Sequence, residues 1–313
     1  MNKMKEKKFY GKIENSLSNF PINGFAKLGL IKERKKIEAL RKYINSKKVL
    51  SKNIFYSSEE EFMKKGRWEK YAPGTNHNFL ENIDISFIEQ NNTFVKSATK
   101  LLGADYKIIK KSIIRSVSSK YLPAWLKLYI KDIGRPNLNP FIKDEYQDIQ
   151  HFYCTDYHQD KTRPKSNFIT FYLYLDHVNR EYSALRILEG SHILGMTPYP
   201  HNLRRSYHNK KVWYYTDIKG KTINCTEYDI TGGPGTLSCF HGLTLHGTPV
   251  NNSKDPRISI RFLLAPKKLN EENIFYLANR NITGPKSISI HRSDVNKKGK
   301  YLRTGSALEG YEI

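Results

Sequence analysis

The 313-residue chain has little cysteine and lacks any long apolar run. Its three cysteines, Cys154, Cys225 and Cys239, are odd in number and widely spaced, which favours neither a disulfide framework nor a cysteine-rich zinc site. No segment reaches the roughly 18 consecutive apolar residues of a membrane-spanning helix. The N-terminus, MNKMKEKKFY, is charged but has no apolar stretch or small-residue cleavage site behind it. We therefore expect a cytoplasmic protein without a signal peptide or a membrane span.

Acidic residues are also scarce, with 30 Asp and Glu against 53 Lys and Arg, which gives a formal net charge of +23. Three explanations fit this excess: a nucleic-acid partner, an anionic small substrate, or a coding bias that enriches Lys, Asn and Ile together. The basic residues are spread along the chain, without an RNP-like aromatic motif, a zinc finger or a basic helix. Nucleic acid is therefore not the expected partner. A small-molecule substrate is expected, and an anionic one is among the alternatives.

The pattern of apolar residues places helices before strands. Helical spacing covers 31–48 and 79–102, and Gly103 provides a C-terminal stop for the second segment. Strand patterns follow, and the clearest, at 167–176, has apolar or aromatic residues on both faces. The other predicted strands are 107–117, 184–188, 212–217, 236–240 and 257–266. This order predicts an α+β fold, with an antiparallel sandwich or barrel and a helical layer on one side.

The tripeptide His158-Gln159-Asp160 contains a His and an Asp separated by one residue. On a strand, positions i and i+2 project to the same side, so the pair would offer one nitrogen and one oxygen ligand to a metal. A 2-His-1-carboxylate triad needs one more His and leaves positions open for a cosubstrate and oxygen. Taken alone the pattern is weak, since two polar residues on an exposed strand have the same spacing.

The downstream segment FHGLTLHGTPVNNSKDPRISIRF offers two histidines for the third position, His241 and His246. If His246 is the ligand, Arg257 follows eleven residues later (257 − 246 = 11), on a strand that can return beside the metal. A planar guanidinium binds a carboxylate through two hydrogen bonds, and Thr248 could add a hydroxyl to the same carboxylate. Arg261 lies on the same face of that strand and is the alternative for this role.

Four pieces of sequence occur in a characteristic order within residues 18–265: SNFPINGFAKLGLIKERKKIEALRKYI, HQD, FITFYLYLDHV with LRILEGSHILG, and LHGTPVNNSKDPRISIRF. Together they resemble the phytanoyl-CoA dioxygenase family of iron(II)/2-oxoglutarate oxygenases. The resemblance implies a double-stranded β-helix (jelly-roll, cupin-like) core within a single oxygenase domain over 1–313. Its parts would be an N-terminal helical layer (about 1–103), the jelly-roll core (about 104–266) and a C-terminal extension (267–313).

The resemblance also implies roles for individual residues. Three of them would bind Fe(II) and form the catalytic centre: His158, Asp160 and His246. Arg257, helped by Thr248, would hold the 5-carboxylate of the cosubstrate 2-oxoglutarate, and Gln159 lies where the family's Gln faces the bound molecules. A further basic contact to the cosubstrate would come from one of three lysines: Lys107, Lys110 or Lys111.

The implied activity is hydroxylation of an unactivated C–H bond in a small molecule, with O2 and 2-oxoglutarate consumed and succinate and CO2 released. Halogenases of the family have a small residue in place of the metal-binding Asp, so Asp160 favours hydroxylation or another oxygenase outcome. The family's Asn-Gly and Pro are replaced here by Tyr182-Ser183 and Glu189, which leaves the substrate class open. Two alternatives remain: a zinc-dependent hydrolase, which needs no Arg257, and a non-enzymatic polyanion- or nucleic-acid-binding protein on a jelly-roll scaffold.

Overall fold

The computed structural model describes residues 16–65, 78–133, 138–160, 167–268 and 270–289. Within them the chain forms twelve strands. They are β1 (Phe25–Leu30), β2 (Lys107–Ser116), β3 (Gln150–Phe152), β4 (Thr155–His158), β5 (Ile169–Tyr174), β6 (Leu185–Leu188), β7 (Asn202–Arg205), β8 (Val212–Thr216), β9 (Thr222–Ile230), β10 (Thr236–His241), β11 (His246–Thr248) and β12 (Arg257–Ala265). The α-helices of the same part are α1 (Phe20–Asn23), α2 (Arg34–Lys47), α3 (Glu59–Lys65), α4 (Ser86–Glu89), α5 (Asn92–Leu102), α6 (Ala124–Ile133) and α7 (Ile274–Arg280).

The strands form two six-stranded sheets that face each other. The major sheet has the order β1-β10-β5-β12-β2-β3, and the minor sheet has the order β4-β11-β6-β9-β8-β7. All pairings are antiparallel except that of β2 with β3. Side chains from both inner faces meet in one buried cluster, which includes Ile114, Tyr174, Ile187, Ile230 and Phe240. This is the predicted jelly-roll core, and the predicted α+β fold class is confirmed.

Helices cover the outer face of the major sheet. In α2 the buried residues Ile37, Leu40 and Ile44 recur at helical spacing and join the largest core cluster. The ring of Phe94 on α5 lies 5.1 Å from the rings of both Phe171 on β5 and Phe262 on β12. This side of the sheet is therefore closed by apolar packing, and only the inner face is left to line a site.

The two predicted helical segments differ in outcome. The pattern over 31–48 corresponds to one helix, α2, whereas 79–102 is divided into a 3-10 turn, α4 and α5. The last of these begins where the Asn91 side chain accepts a hydrogen bond from the backbone N–H of Thr93, and it ends at Gly103, as predicted. The predicted helical segment is interrupted at Asn91 because the side chain of this residue caps the N-terminus of a new helix.

Some elements were not predicted, among them β7, β9, α6 and α7. Strand β9 alternates mostly polar residues with few buried ones, such as Cys225, so its apolar pattern is weak. Helix α7 lies in the predicted C-terminal extension, where Phe275 and Ala278 are buried against the main core. In the described part of the chain, no helix is both long and apolar enough to cross a membrane.

Candidate metal centre

Two adjacent strands of the minor sheet bring the predicted histidines together. In the antiparallel pairing of β4 with β11, His246 lies directly opposite His158, and their rings are 4.2 Å apart. Asp160 follows two residues after His158, and its Oδ1 lies 3.7 Å from Nε2 of His158 and 3.6 Å from Nε2 of His246. One candidate ligand atom from each residue lies within 4.8 Å of the other two. The three side chains thus form a compact triad of two nitrogens and one oxygen.

The other candidate histidine points elsewhere. His241 ends β10, and its ring packs 5.4 Å from that of His192 and 5.2 Å from that of Phe275 on α7. Its Nδ1 accepts a hydrogen bond from the backbone N–H of Leu243. It therefore belongs to the helix-facing side of the fold, and the geometry selects His246 for the triad.

Backbone carbonyls orient both triad imidazoles. Nδ1 of His158 lies 2.8 Å from the carbonyl oxygen of Asp156, and Nδ1 of His246 lies 3.0 Å from that of Thr244. A carbonyl can only accept, so each Nδ1 carries the proton and each Nε2 presents a lone pair toward Asp160. This tautomer and this second hydrogen bond are what a metal-binding histidine requires.

The environment also sets the charge state of the triad. Burial lowers the pKa of His158 to about 4, and the neighbouring His246 acts in the same direction. Burial opposes ionisation of Asp160, but His246 and the cation of Arg261 outweigh it and hold the pKa of this carboxyl well below its ordinary value. At neutral pH His158 is therefore a neutral imidazole and Asp160 a carboxylate, the forms that bind a divalent metal.

One neighbour fixes which oxygen of Asp160 faces the histidines. The hydroxyl of Thr170, on β5 of the major sheet, donates to Oδ2 of Asp160 at 3.1 Å. Oδ1 is the atom that lies near both imidazoles. Thr170 thus engages one oxygen of Asp160, and the other is the oxygen that could serve as a metal ligand.

Arg257 is buried on the inner face of the major sheet, with none of its surface exposed. Its Nη1 donates to the hydroxyls of Ser259 at 2.7 Å and Tyr172 at 3.2 Å. Its Nε and Nη2 have no hydrogen-bond partner among the described residues, and no described carboxylate forms an ion pair with it. Its surroundings are aromatic, with the rings of Phe152, Tyr172 and Tyr174 centred 5.6 to 5.8 Å from the guanidinium carbon.

A buried guanidinium without a counter-ion is costly, because desolvation of the charge is not repaid within the protein. The two unpaired nitrogens of Arg257 form one edge of a planar fork, which matches the two oxygens of a carboxylate. The residue therefore fits a dicarboxylate such as 2-oxoglutarate, whose far end it would neutralise.

The two remaining predicted contacts have protein partners. The hydroxyl of Thr248 lies 3.0 Å from that of Thr155 across the β4–β11 pair. The side-chain amide of Gln159 is engaged by three backbone groups: the carbonyls of Gly195 and Leu243, to which it donates, and the N–H of Thr197, from which it accepts. Gln159 thus links two loops beside the triad, and its polar atoms are directed at backbone.

The three candidate lysines point in different directions. Lys107 is exposed, and Lys111 forms an ion pair with Glu89 at 2.9 Å on the helix-facing side. Lys110 is half-buried, and its pKa is lowered first by burial and then by the positive charge of Arg261. Of the three, Lys110 is therefore the one electrostatically coupled to the neighbourhood of the triad.

Tyr182 and Ser183, which replace the family's Asn-Gly, support the loop between β11 and β12. The hydroxyl of Tyr182 donates to the carbonyl of Pro256 at 3.2 Å, and that of Ser183 donates to the carbonyl of Pro249 at 2.9 Å. Ser183 has a φ of 53°, in the left-handed region that favours the family's glycine. These residues hold the segment that leads to Arg257.

Sequence reasoning overlooked two residues that touch Asp160, namely Thr170 and Arg261. The sequence pattern indicates Arg261 only as an alternative to Arg257 for binding the carboxylate, but its Nη1 lies 3.5 Å from Oδ1 of Asp160. The alternation along 257–262 did place Arg261 on the face of Arg257. Its distance to Asp160 depends on how the two sheets approach each other, which a single strand pattern does not specify.

Comparison with solved structures returns low-identity neighbours of similar fold. EvdMO1 has a TM-score of 0.46 and 13% identity, over 82% of this chain and 50% of that chain, so the chain spans only half of that protein's length. EvdO2 from Micromonospora carbonacea var. aurantiaca, complexed with 2-oxoglutarate, has a TM-score of 0.46 and 14% identity, over 82% and 93%. The epimerase SnoN, in complex with Fe3+, alpha ketoglutarate and nogalamycin RO, has a TM-score of 0.46 and 13% identity, over 92% and 98%.

Sequence comparison is more specific. No curated protein matches the chain. The model of the phytanoyl-CoA dioxygenase (PhyH) family matches residues 109–259. This segment contains the whole triad, strands β4 and β11, and Arg257 at the start of β12. The resemblance read from the sequence is thereby confirmed: this segment, just under half of the chain, is similar to the phytanoyl-CoA dioxygenase family.

Proposed function

We propose that the protein is an Fe(II)- and 2-oxoglutarate-dependent oxygenase, and that it hydroxylates an unactivated C–H bond of a small molecule within a single catalytic domain. When bound, ferrous iron with 2-oxoglutarate and O2 supplies the oxidation, and succinate and CO2 are released. The observation that carries this proposal is a pairing: a His–Asp–His triad on the inner face of one sheet, and, on the inner face of the other, a buried guanidinium without a counter-ion among the described residues.

The triad's part is to hold the metal while leaving room around it. His158 and His246 provide Nε2 lone pairs, and Asp160 provides Oδ1. Three ligands of this kind occupy one face of an octahedral ion and leave the opposite positions open. Thr170 keeps the second oxygen of Asp160 engaged, so the carboxylate does not take a fourth position.

Arg257's part is to bind the 5-carboxylate of 2-oxoglutarate through Nε and Nη2, the two nitrogens left without a partner. The hydroxyls of Ser259 and Tyr172 fix the plane of the guanidinium. Thr248 contacts one hydroxyl already, but an –OH can donate once and accept twice, so it retains capacity for the same carboxylate. Gln159 acts as a positioning residue that keeps the loops around the triad in place.

Neither alternative function, zinc hydrolase or polyanion binding, explains a buried arginine at position 257. A zinc hydrolase needs three ligands and a water, but not a second buried cation on the opposite sheet. A polyanion-binding protein presents its cations on the surface, whereas Arg257 is completely buried.

The test is anaerobic addition of Fe(II) and then 2-oxoglutarate to the purified protein. Chelation of ferrous iron by the keto acid is expected to give a visible charge-transfer band in the wild type. His246→Ala should abolish it, whereas His241→Ala, in the same segment but outside the triad, should retain it. Admission of O2 should then release succinate. Absence of the band in the wild type, or an equal band in His246→Ala, would sink the proposal.

A further inference from the structure

We propose that Arg261, assisted by Lys110, binds an anionic group of the organic substrate beside the metal triad, so that the substrate is a small carboxylate or phosphate. This inference rests on the proposed function and goes beyond it, because it assigns the substrate its own cationic site. That site is separate from Arg257, which is assigned to the cosubstrate.

Arg261 has hydrogen-bonding capacity close to the metal ligands. It lies on the inner face of β12, paired with Ser112 on β2 and with Tyr172 on β5. Its Nη1 is 3.5 Å from Oδ1 of Asp160, its side chain is only 15% exposed, and its Nε is buried without a partner among the described residues. The Oγ of Ser112 is likewise buried and unpartnered in the described part of the structure.

Lys110 adds a second positive charge to the same wall. It pairs with Leu263, the next inner-face position after Arg261, in the register that β12 and β2 keep from Arg257 to Leu263. Burial and the charge of Arg261 both lower the pKa of Lys110. The charge of Glu81 offsets this in part, without forming an ion pair with the lysine. Two cations are therefore held together with little compensation from the protein.

Metal binding makes this imbalance larger. In the protein alone, Asp160 is the negative charge nearest to Arg261. A divalent ion on the triad would share that carboxylate, so Asp160 would compensate the charge of Arg261 less than it does in the protein alone. An anion supplied by a ligand would restore the balance in a setting where charge pairs are poorly screened.

The cosubstrate's far carboxylate is not the best candidate for that anion. Arg257 and Arg261 are four residues apart on one strand, or about 13 Å between their backbones. The guanidinium of Arg257 is turned toward Ser259 and has two nitrogens of its own to offer. The face therefore contains two cationic positions, and the one at Arg261 suits a second molecule. A guanidinium fork with an ammonium beside it suits either a carboxylate or a phosphate.

The test compares three six-carbon probes that differ in their head group: hexanoate, hexyl phosphate and the neutral hexanamide. Binding is measured by calorimetry on the anaerobic protein with Fe(II) and 2-oxoglutarate, and again on the metal-free protein. We expect at least one anion to bind the loaded wild type about 10–100-fold more tightly than hexanamide, the range of one charge-assisted contact. The tighter of the two anions identifies the head group.

Variants show which residues cause the preference for an anionic probe over hexanamide. Arg261→Gln should remove it, Arg261→Lys should retain part of it, and Lys110→Met should reduce it by about 3-fold, as expected for a weaker single charge. Lys111→Met is the matched control, since that lysine faces the helices and pairs with Glu89. It should leave the discrimination unchanged. Thermal unfolding of each variant checks that the fold is retained.

Three outcomes would overturn this inference. Hexanamide could bind as well as both anions, or Arg261→Gln could leave the preference intact. Arg261→Gln could also weaken 2-oxoglutarate binding while anion preference persists, which would assign Arg261 to the cosubstrate. Failure of the proposed function is a separate result: the wild type would bind neither Fe(II) nor 2-oxoglutarate. An anion preference of the metal-free protein that Arg261→Gln removes would still support the anion site in that case.

Discussion

The major sheet has two faces of opposite character, and β5 contributes to both. Its residues Ile169, Phe171 and Leu173 point toward the helices and join the main apolar core. The alternate residues, Thr170 and Tyr172, point inward and bond to Asp160 and Arg257 respectively. The apolar face accounts for stability, because it removes a continuous surface from water. The inner face contains polar groups that the protein itself only partly satisfies.

The two faces also differ in how each surrounds a buried arginine, Arg115 on the helix-facing side and Arg257 on the inner face. Arg115, on the helix-facing side of β2, donates to the carbonyl of Lys48 at 2.8 Å and lies 3.4 Å from Oδ1 of Asn45, at the C-terminal end of α2. It is 1% exposed, and Arg257 on the inner face is 0% exposed. Arg115 thus closes a helix end, where a cation is favoured. Among the described residues Arg257 donates only to hydroxyls, so it has no backbone partner of the kind that Arg115 has.

The largest expected effect on the inner face comes from His246→Ala. Metal affinity should fall by more than the roughly 10–100-fold lost when an outer partner of a ligand is removed, and turnover should fall to background. Global stability of the metal-free protein should change little, because the site is not the core. Metal titration alongside denaturant unfolding measures both quantities. A large loss of stability with retained metal affinity would contradict the division between the faces.

The reverse pattern is expected for Phe171→Ala on the outer face. Phe171 is fully buried against Phe94 and the rest of the helical layer. Truncation of such a ring costs about 3–5 kcal/mol of the free energy of unfolding. Urea unfolding measures this loss, and calorimetry on the folded protein measures Fe(II) affinity, which should stay within a few-fold of the wild type. Affinity that falls in parallel with stability would show that the two faces are coupled.

The two arginines provide a matched pair of substitutions. Arg257→Met should weaken 2-oxoglutarate binding by about 10–100-fold, while the free energy of unfolding stays the same or rises, because an uncompensated buried charge is removed. Arg115→Met should leave 2-oxoglutarate affinity unchanged and lower stability by about 1–3 kcal/mol, because the carbonyl of Lys48 loses its donor. Calorimetric titration and denaturant unfolding of both variants check this. Equal stability losses in the two would refute the contrast drawn here.

Much of this architecture could be predicted because it depends on local pattern. The alternation over 167–176 predicts a strand covered on both faces, and β5 is one. The spacing of His158 and Asp160 lies within one segment of the chain, and that of His246 and Arg257 lies within another. Both spacings could therefore be recognised in the sequence alone.

What could not be predicted depends on contacts between segments. The approach of Arg261 to Asp160 is set by the packing of the two sheets, and the pairing of Lys110 with Leu263 by the register between two strands that are distant in sequence. The bonds of the Gln159 amide to three loop backbones are of the same kind. No periodicity records such contacts, because each partner is distant in sequence. For that reason the surroundings of Arg261, Lys110 and Gln159 can be described only from the three-dimensional structure.

The smallest expected effect concerns His192, a buried histidine on the structural side of the comparison. Its Nε2 lies 3.2 Å from the carbonyl of Pro21, and burial lowers its pKa to about 4 from an ordinary value of 6.5. The folded pKa is the lower one, so the unfolded chain takes up a proton first as the pH falls below 6.5. This group therefore destabilises the fold progressively between pH 6.5 and pH 4, and its contribution between pH 7 and pH 5.5 is about 1 kcal/mol.

His192→Gln removes this titration, so the stability gap between wild type and variant should narrow by about 1 kcal/mol on going from pH 7 to pH 5.5. Denaturant unfolding of the metal-free protein at both pH values measures the gap without interference from metal release. Curves that fall in parallel would mean that His192 takes up its proton over the same pH range in the folded and unfolded states, so that burial does not lower its pKa. The ring would then be a cation in the folded protein at pH 5.5, and the turn at His192 would resemble the charged inner face rather than the apolar outer one.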